Sequence, residues 1–277
     1  MTIIVADTTS SLPLELAKQL DIPMIPQQVV FGEQSYRDDE LSTAEFLKRL
    51  KASAALPKTA APIHSHYTPI FSEAAKRGEA VLVIAPSGKI SGTVRSAETA
   101  RQDFPGADIR IIDTQTVAGC LGALVLEAHD MAEKGASADE IETKITQLSK
   151  RARTYFVVDT LEYLQKGGRI GAARALLGEL LQVKPILQIK DGQASPFEQE
   201  RTKKRALARL IDLTCDQLAD IPDPRLSIMH IDAEDEAMAM RKELSARLKI
   251  QTIPLYLLPA AIVVHAGPKA LAIGFFG

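Results

Sequence analysis

The chain has 277 residues, of which 46% are hydrophobic and 25% are charged, and this length suits one large globular domain or two modest ones. Its 33 basic and 35 acidic residues give a formal net charge of −2, which excludes a bulk electrostatic attraction to nucleic acid or to an anionic membrane. With no tryptophan and 5% aromatic residues, a stacking surface for single-stranded nucleic acid is not expected either.

The sequence contains no targeting or membrane-spanning pattern. Its start lacks a basic segment followed by a long apolar stretch, and no run of about 18 apolar residues occurs. We therefore expect a cytoplasmic protein without an integral membrane segment. Any contact that it makes with a membrane would be transient. Cys120 and Cys215 lie far apart without the spacing of metal ligands, which predicts two reduced thiols. His64 and His66 have no clustered acidic or cysteine residue beside them, so no metal site is predicted.

The first half of the chain alternates short β-branched runs with helical patterns. The predicted strands cover residues 2–6, 27–31, 81–85 and 109–112, with a turn at 32–35. The predicted helices cover residues 13–19, 42–52, 70–77, 91–104, 122–134 and 138–153. Ser42, with Glu45 three residues later, has the pattern of a capping box at a helix start. Strands that alternate with helices predict a mainly parallel sheet covered on both faces.

The pattern changes after about residue 154. The predicted strands now cover residues 155–158, 186–189, 194–197, 227–231, 253–258, 261–265 and 271–275. The predicted helices cover residues 161–166, 170–181, 202–218 and 235–248. Asp191-Gly192 between two apolar runs is a strong hairpin signal. We therefore predict an α/β protein with two α/β domains, residues 1–153 and 154–277.

Residues 86–98, with the sequence PSGKISGTVRSAE, join the predicted strand 81–85 to a helix. The glycine spacing matches neither a Walker loop nor a dinucleotide-binding loop, which argues against a nucleotide site. Ser91, Gly92 and Thr93 stand at the helix start, where free N–H groups and the helix dipole favour a negative ligand group. The alternative, that Ser91 only caps the helix, stays open at this point.

Four other positions could carry function. Thr59 lies in a predicted loop before Pro62, and His265 follows an apolar run and precedes Gly-Pro, at a predicted strand end. The glycine pair before Arg169 could be a phosphate nest or the end of one helix before the next. Arg201 and Lys203 belong to a basic cluster, which is either a solvated helix face or a docking patch for an acidic partner.

Seven short segments carry a resemblance to a known family. They are DTTSSLP at 7–13, TAAP at 59–62, SGT at 91–93, DT at 113–114, DTLEYLQKGGRI at 159–170, RTK at 201–203 and HAGP at 265–268. Their order and spacing along the whole chain resemble the DegV family of fatty-acid-binding proteins, which includes the FakB-type subunits of bacterial fatty acid kinase. The family loop usually reads Thr-Ser-Gln-Pro, whereas this chain has Ala60 and Ala61 between Thr59 and Pro62.

The resemblance implies a function and a site. It implies a mainly parallel sheet flanked by helices in the first domain, a mixed sheet in the second, and a long-chain fatty acid buried between them. The carboxylate would lie near Ser91, Gly92, Thr93, Thr59 and His265, with no cofactor besides the bound fatty acid. A separate kinase subunit carrying ATP would phosphorylate that carboxylate and contact the chain near Arg169, Arg201 and Lys203.

An enzymatic alternative uses two of the same residues. Ser91 as nucleophile and His265 as base would make a serine acyl hydrolase, if Asp7 or Asp113 oriented the imidazole. The sequence lacks the Gly-x-Ser-x-Gly elbow of the α/β-hydrolases. The binding function therefore remains the first expectation, with turnover of a chromogenic ester as the distinguishing measurement.

Overall fold

The computed structural model describes residues 2–53, 55–177 and 183–277. Its α-helices, numbered α1 to α10 in chain order, are Leu14–Gln19, Thr43–Ala52, Thr68–Arg77, Thr93–Arg101, Ala118–Glu133, Ala138–Ser149, Glu162–Lys166, Lys203–Leu218, Glu234–Leu248 and Ala260–Ala266. Its strands, numbered β1 to β13, are Thr2–Asp7, Met24–Ile25, Gln28–Phe31, Gln34–Arg37, Lys58–Ala60, Ala80–Ala85, Ile109–Asp113, Ala152–Val157, Lys184–Lys190, Gln193–Glu200, Ser227–His230, Leu255–Leu257 and Leu271–Phe276.

A four-stranded parallel sheet, in the order β2-β1-β6-β7, forms the core of the first half of the chain. Its central strands β1 and β6 are apolar, β-branched and largely buried, as strands covered on both faces must be. The predicted parallel sheet is confirmed. From β1 the chain continues to its neighbour β2 at one edge of the sheet, and from β6 it continues to β7 at the other edge. The carboxyl ends of β1 and β6, at Asp7 and Ala85, therefore meet at the kind of switch point where α/β sheets bind ligands.

A six-stranded mixed sheet, in the order β10-β9-β8-β13-β11-β12, occupies the second half. Its neighbouring strands are antiparallel except for the parallel pair β11 and β12. A small antiparallel sheet, β4-β3-β5, completes the strands. The parallel and small sheets use residues from 2–113 and the mixed sheet uses residues from 152–276. The division into domains after residue 153 stays a prediction.

The strand predicted over 261–265 is wrong, because these residues lie in helix α10, which begins after Pro259. The run AAIVV is apolar throughout, so its periodicity cannot separate a buried strand from a buried helix. Packing decides the outcome, since Val263 and Val264 are fully enclosed in the core beside the cleft described below. His265 therefore stands in the last turn of a short helix rather than at a strand end.

Two predicted helices end differently from expectation. The helix predicted over 138–153 stops at Ser149, because the chain turns there and enters β8. Residues 171–176 form a 3₁₀ helix instead of the α-helix predicted over 170–181, and residues 178–181 of that prediction lie outside the described residues.

Other local predictions can be compared directly. Ser42 is confirmed as an N-cap, because its Oγ accepts a hydrogen bond from the Glu45 N–H at 3.2 Å. The predicted loop around Thr59 is wrong, since this residue lies in β5 and pairs with Val29 of β3. Both cysteines are free thiols, as expected. Within residues 2–53, 55–177 and 183–277, no helix combines the length and apolar composition that a membrane crossing requires.

The hairpin predicted at Asp191-Gly192 is confirmed, and it connects the two main sheets. Positive φ angles of 50° and 76° at these residues suit a two-residue turn between β9 and β10. Ser87 Oγ donates to the Gly192 carbonyl at 2.7 Å, and Lys89 Nζ donates to the Asp191 carbonyl at 2.7 Å. Because Ser87 and Lys89 follow β6, the hairpin of the mixed sheet is bonded to the carboxyl edge of the parallel sheet.

We predict that replacing Gly192 by alanine destabilises the protein for two reasons. It strains the backbone at a positive φ angle, and it disturbs the contact between Ser87 and the hairpin. Gly135 has a similar φ of 81° and free space around it, so Gly135→Ala should cost only about 1–2 kcal/mol for the left-handed conformation. A Cβ at Gly192 would also overlap Ser87 Oγ. In urea unfolding, the midpoint of Gly192→Ala should lie below that of Gly135→Ala, and equal midpoints would contradict the prediction.

Candidate functional site

A deep cleft lies between the parallel sheet and the mixed sheet. Its empty space, the open mouth included, amounts to about 1000 Å³. Its walls are mainly apolar, with Phe156 from β8, Ile189 from β9, Leu271 and Ala272 from β13, and Ile262 from α10. Such a cleft suits a long apolar ligand, because the hydrophobic effect needs no directional partner.

Ser91 and Gly92 form part of the cleft wall at the start of α4. The helix begins at Thr93 with Gly92 as its N-cap, two residues later than predicted. Ser91 Oγ accepts a hydrogen bond from the Thr93 N–H at 3.2 Å and lies 2.9 Å from Thr93 Oγ1. Ser91 thus contacts both the helix start and the cleft, so the capping and ligand-binding interpretations are compatible.

Thr93 lies behind this wall, buried and hydrogen-bonded to Asp7. Its Oγ1 is 2.6 Å from Asp7 Oδ2 and 2.9 Å from Gln27 Nε2. Gln27 Nε2 also donates to Asp7 Oδ2 at 2.6 Å, and the Thr9 N–H donates to Oδ1 at 2.9 Å. Thr93 does not border the cleft, so we assign its side chain a supporting position rather than direct ligand contact.

Two buried carboxyl groups lie close to this cluster. Burial raises the pKa of Asp7, although hydrogen bonds from its neighbours act in the opposite direction. Burial also raises the pKa of Asp38, to about 7. The backbone N–H of Gln27 donates to Asp38 Oδ1 at 2.9 Å, while the Gln27 side chain donates to Asp7. One residue therefore connects the two acids.

Thr59 of β5 and His265 of α10 meet at the cleft wall. Thr59 Oγ1 lies 2.8 Å from His265 Nε2, although the residues are 206 positions apart in the chain. His265 Nδ1 is buried against Gly167 and has no hydrogen-bond partner among the described residues. Because a buried N–H without an acceptor is costly, the proton belongs on Nε2, which donates it to Thr59. The hydroxyl proton of Thr59 is then free for a ligand oxygen.

The imidazole of His265 is neutral under ordinary conditions. Its burial, and secondarily the positive charge of Arg169, lower its pKa to about 4. Arg169 borders the cleft, and its guanidinium donates to the carbonyls of Ile90 at 3.1 Å and Gly167 at 2.9 Å. Arg169 thus binds the turn before α4 to the segment after α7.

The remaining docking candidates lie elsewhere. Arg201 is exposed just before α8, and Lys203 at its start donates to Glu236 of α9 at 2.6 Å. Neither residue borders the cleft. Gly168 of the glycine pair has a φ of 69°, and the Arg169 N–H donates to the Leu164 carbonyl at 2.9 Å, which supports the helix-end interpretation of that pair.

The geometry does not assemble a hydrolase triad. Ser91 and His265 both border the cleft, but Ser91 is hydrogen-bonded within its own turn and His265 Nε2 contacts Thr59. Asp7 accepts a hydrogen bond from the Thr93 hydroxyl, which lies behind Ser91. Asp113 accepts hydrogen bonds from two backbone N–H groups, one in the segment after its own strand β7 and one in the segment after β6. His265 Nδ1 therefore lacks the orienting acceptor that such a mechanism needs.

Sequence reasoning missed two members of the cluster. Gln27 and Asp38 stand alone among ordinary neighbours, and neither matches a motif. From the sequence, Asp7 is the first residue of the segment 7–13 and a possible partner of the imidazole, and neither role predicts its hydrogen bond to Thr93. The available signal was the position of Asp7, a charged residue directly after an apolar strand and before a run of hydroxyl side chains. Such a residue at a sheet's carboxyl edge is a candidate for the site.

Known proteins share both the sequence and the fold. A family model described as an uncharacterised protein of the DegV family matches residues 1–277. Protein DegV of Bacillus subtilis (strain 168) is 35% identical over 272 residues, which cover 98% of this chain and 97% of that protein.

Two solved structures extend the comparison. A DegV family protein from Thermus thermophilus, described by its fatty acid binding, has a TM-score of 0.91 and 32% identity, covering 100% of this chain and 99% of its own. DegV from Bacillus subtilis, described as a fatty acid binding protein, has a TM-score of 0.89 and 34% identity. The match covers 100% of this chain and 99% of that protein's chain. The predicted α/β fold class, with a parallel and a mixed sheet, is confirmed.

We predict that His265 titrates near pH 4 in the folded protein. Since an unfolded histidine titrates near about 6.5, the unfolded state binds more protons between these values, and the free energy of unfolding should fall as the pH drops through this window. NMR of the imidazole and urea unfolding at several pH values would measure both effects. His265→Gln should lack this part of the pH dependence, and an NMR midpoint near 6.5 would contradict the prediction.

Proposed function

This chain belongs to the DegV family, and from that premise we propose that its cleft binds a long-chain fatty acid. The observation that carries the proposal is the combination of a long apolar cleft with hydroxyl groups and a neutral imidazole at one side, near Ser91, Gly92, Thr59 and His265. Two similar solved proteins are described as fatty acid binding. The bound fatty acid would be the only non-protein group.

The hydrocarbon tail should supply most of the affinity. Each buried CH₂ contributes about 0.8 kcal/mol, so a sixteen-carbon tail could contribute on the order of 10 kcal/mol before the cost of association. An anion at a helix start contributes only about 0.3–1 kcal/mol, and up to ~2 kcal/mol when partly buried. Affinity would therefore depend on the apolar walls, while the polar residues would orient the head group.

Thr59 and Ser91 would orient the carboxylate. The Nε2–H of His265 occupies a lone pair of Thr59 Oγ1, which leaves the Thr59 hydroxyl proton for a ligand oxygen. Ala60 and Ala61 stand beside Thr59 where polar side chains are usual in the family. Ala61 Cβ packs against Gly92, so in this chain Ala60 and Ala61 contribute close packing. The hydrogen bonds to the carboxylate would come from Thr59 and Ser91.

We further propose that the carboxylate is presented to a separate ATP-dependent kinase subunit, which forms an acyl phosphate. A second pocket shares Thr59, His265 and Arg169 with the cleft and is also lined by Lys58 and Lys166. Positive charge at this pocket suits the approach of a phosphoryl group. Because residues 86–98 lack a phosphate-binding loop, the ATP would come from the partner.

We predict that native mass spectrometry finds long-chain fatty acid on the purified protein, or on protein incubated with oleate or palmitate. Ala272→Leu should lower the bound fraction at least about tenfold, because it fills the cleft. Ala75→Leu, an equal change on the exposed face of α3, serves as the control. A chain that stays empty with both fatty acids would contradict the proposal, as would normal lipid content in a folded Ala272→Leu.

We predict that Arg201→Glu weakens kinase-coupled formation of acyl phosphate without emptying the cleft. Arg201 is exposed and outside the cleft, so its charge would act on partner association, and reversal should lower the coupled rate roughly tenfold at low salt. Lys144→Glu on the exposed face of α6 is the control for a charge change remote from this cluster. An unchanged coupled rate in Arg201→Glu would remove this residue from the docking surface.

A further inference from the structure

The hydroxyl of Thr93 lies between three polar neighbours. Its Oγ1 is 2.6 Å from Asp7 Oδ2, 2.9 Å from Gln27 Nε2 and 2.9 Å from Ser91 Oγ. A hydroxyl has one proton to donate and two lone pairs to accept with. The Gln27 nitrogen can only donate, so it occupies one lone pair. The single proton of Thr93 must then go either to Asp7 or to Ser91.

The protonation state of Asp7 decides between these two arrangements. If Asp7 is ionised, Thr93 donates to it and accepts the proton of Ser91, so that Ser91 shows only a lone pair to the cleft. If Asp7 carries a proton on Oδ2, it donates to Thr93, and Thr93 donates to Ser91. The hydroxyl proton of Ser91 is then free to point into the cleft. Both arrangements satisfy every member of the chain, and only the second offers the Ser91 proton to a carboxylate without breaking the hydrogen bond between Ser91 and Thr93.

We propose that Asp7 is a positioning residue that takes up one proton when a carboxylate ligand binds beside Ser91. The proton comes from solvent and forms one O–H bond at Asp7 Oδ2, while the hydrogen bonds through Thr93 and Ser91 reverse direction. The ligand enters as the carboxylate and remains one. This inference rests on the proposed fatty acid binding, because it requires a carboxylate at the cleft wall.

The surroundings of Asp7 favour such an uptake. The groups facing it are Thr9 from its own turn, Gln27 before β3 and Thr93 of α4, all of them neutral. Asp38 after β4 adds a second negative charge, and the hydroxyl of the buried Tyr67 before α3 has no hydrogen-bond partner in the part of the chain that the structure describes. Within the described residues, Asp7 has no ion pair with a lysine, arginine or histidine. A negative ligand nearby would therefore make a proton on Asp7 still more favourable.

Calorimetric titration with decanoate, in buffers of different ionisation enthalpy and over a series of pH values, tests the inference. The number of protons taken up should rise towards one as the pH increases, and the affinity should fall by up to about tenfold per pH unit. Asp7→Asn cannot take up this proton, so its uptake should stay near zero. Asp38→Asn, a buried carboxyl changed in the same way, should still take up a proton, with the pH dependence of the uptake moved to lower pH because one neighbouring negative charge is lost.

A second variant guards against a misfolded Asp7→Asn. Thr93→Val keeps Asp7 and the shape of the side chain but removes the hydroxyl that connects it to Ser91, so the proton uptake should again be lost. Proton uptake that persists in Asp7→Asn would place the proton on the ligand. Proton uptake that is lost only in Asp38→Asn would place the proton on Asp38. Either result overturns the proposal, as does binding with no uptake at any pH. Failure to bind decanoate, oleate or palmitate would instead contradict fatty acid binding itself.

Discussion

The burial of one carboxyl group without a cation is the constraint on which the site depends. Asp7 ends the central strand β1 and is only 1% exposed. A buried polar group is tolerated only with hydrogen-bond partners, so neutral donors must surround it. Those donors come from its own turn, from Gln27 and from Thr93 of α4. Satisfying Asp7 thus fixes the start of α4, and with it the position of Ser91 at the cleft wall.

The cleft itself exists because the two main sheets are joined at a few points and left apart between them. The Ser87 side chain bonds the Gly192 hairpin, Arg169 reaches the turn before α4, and Thr59 meets His265. Each contact pairs a residue from the first half of the chain with one from the second. Apolar walls lie between these contacts, so the large apolar surface of the cleft is separate from its few directional polar groups.

Local signals predicted much of the fold but only part of the site. The parallel strands and the Asp191-Gly192 hairpin follow from side-chain periodicity and turn chemistry, which act over a few residues. The short apolar run 261–265 is equally compatible with strand and helix, and packing against the core decided for helix. Ser91 could be singled out because it stands at a strand–helix junction. Gln27 could not, since a lone glutamine has no local signature.

The sequence by itself determined the α/β character, the strand runs and the hydroxyl-rich turn after β6, because each is encoded by neighbouring residues. Only the tertiary structure decided that Thr59 bonds His265 from 206 positions away, and that Thr93 turns from the cleft towards Asp7. The direction of each hydrogen bond depends on burial and on which groups lack another partner. Those quantities arise from long-range packing, which no short pattern of residues contains.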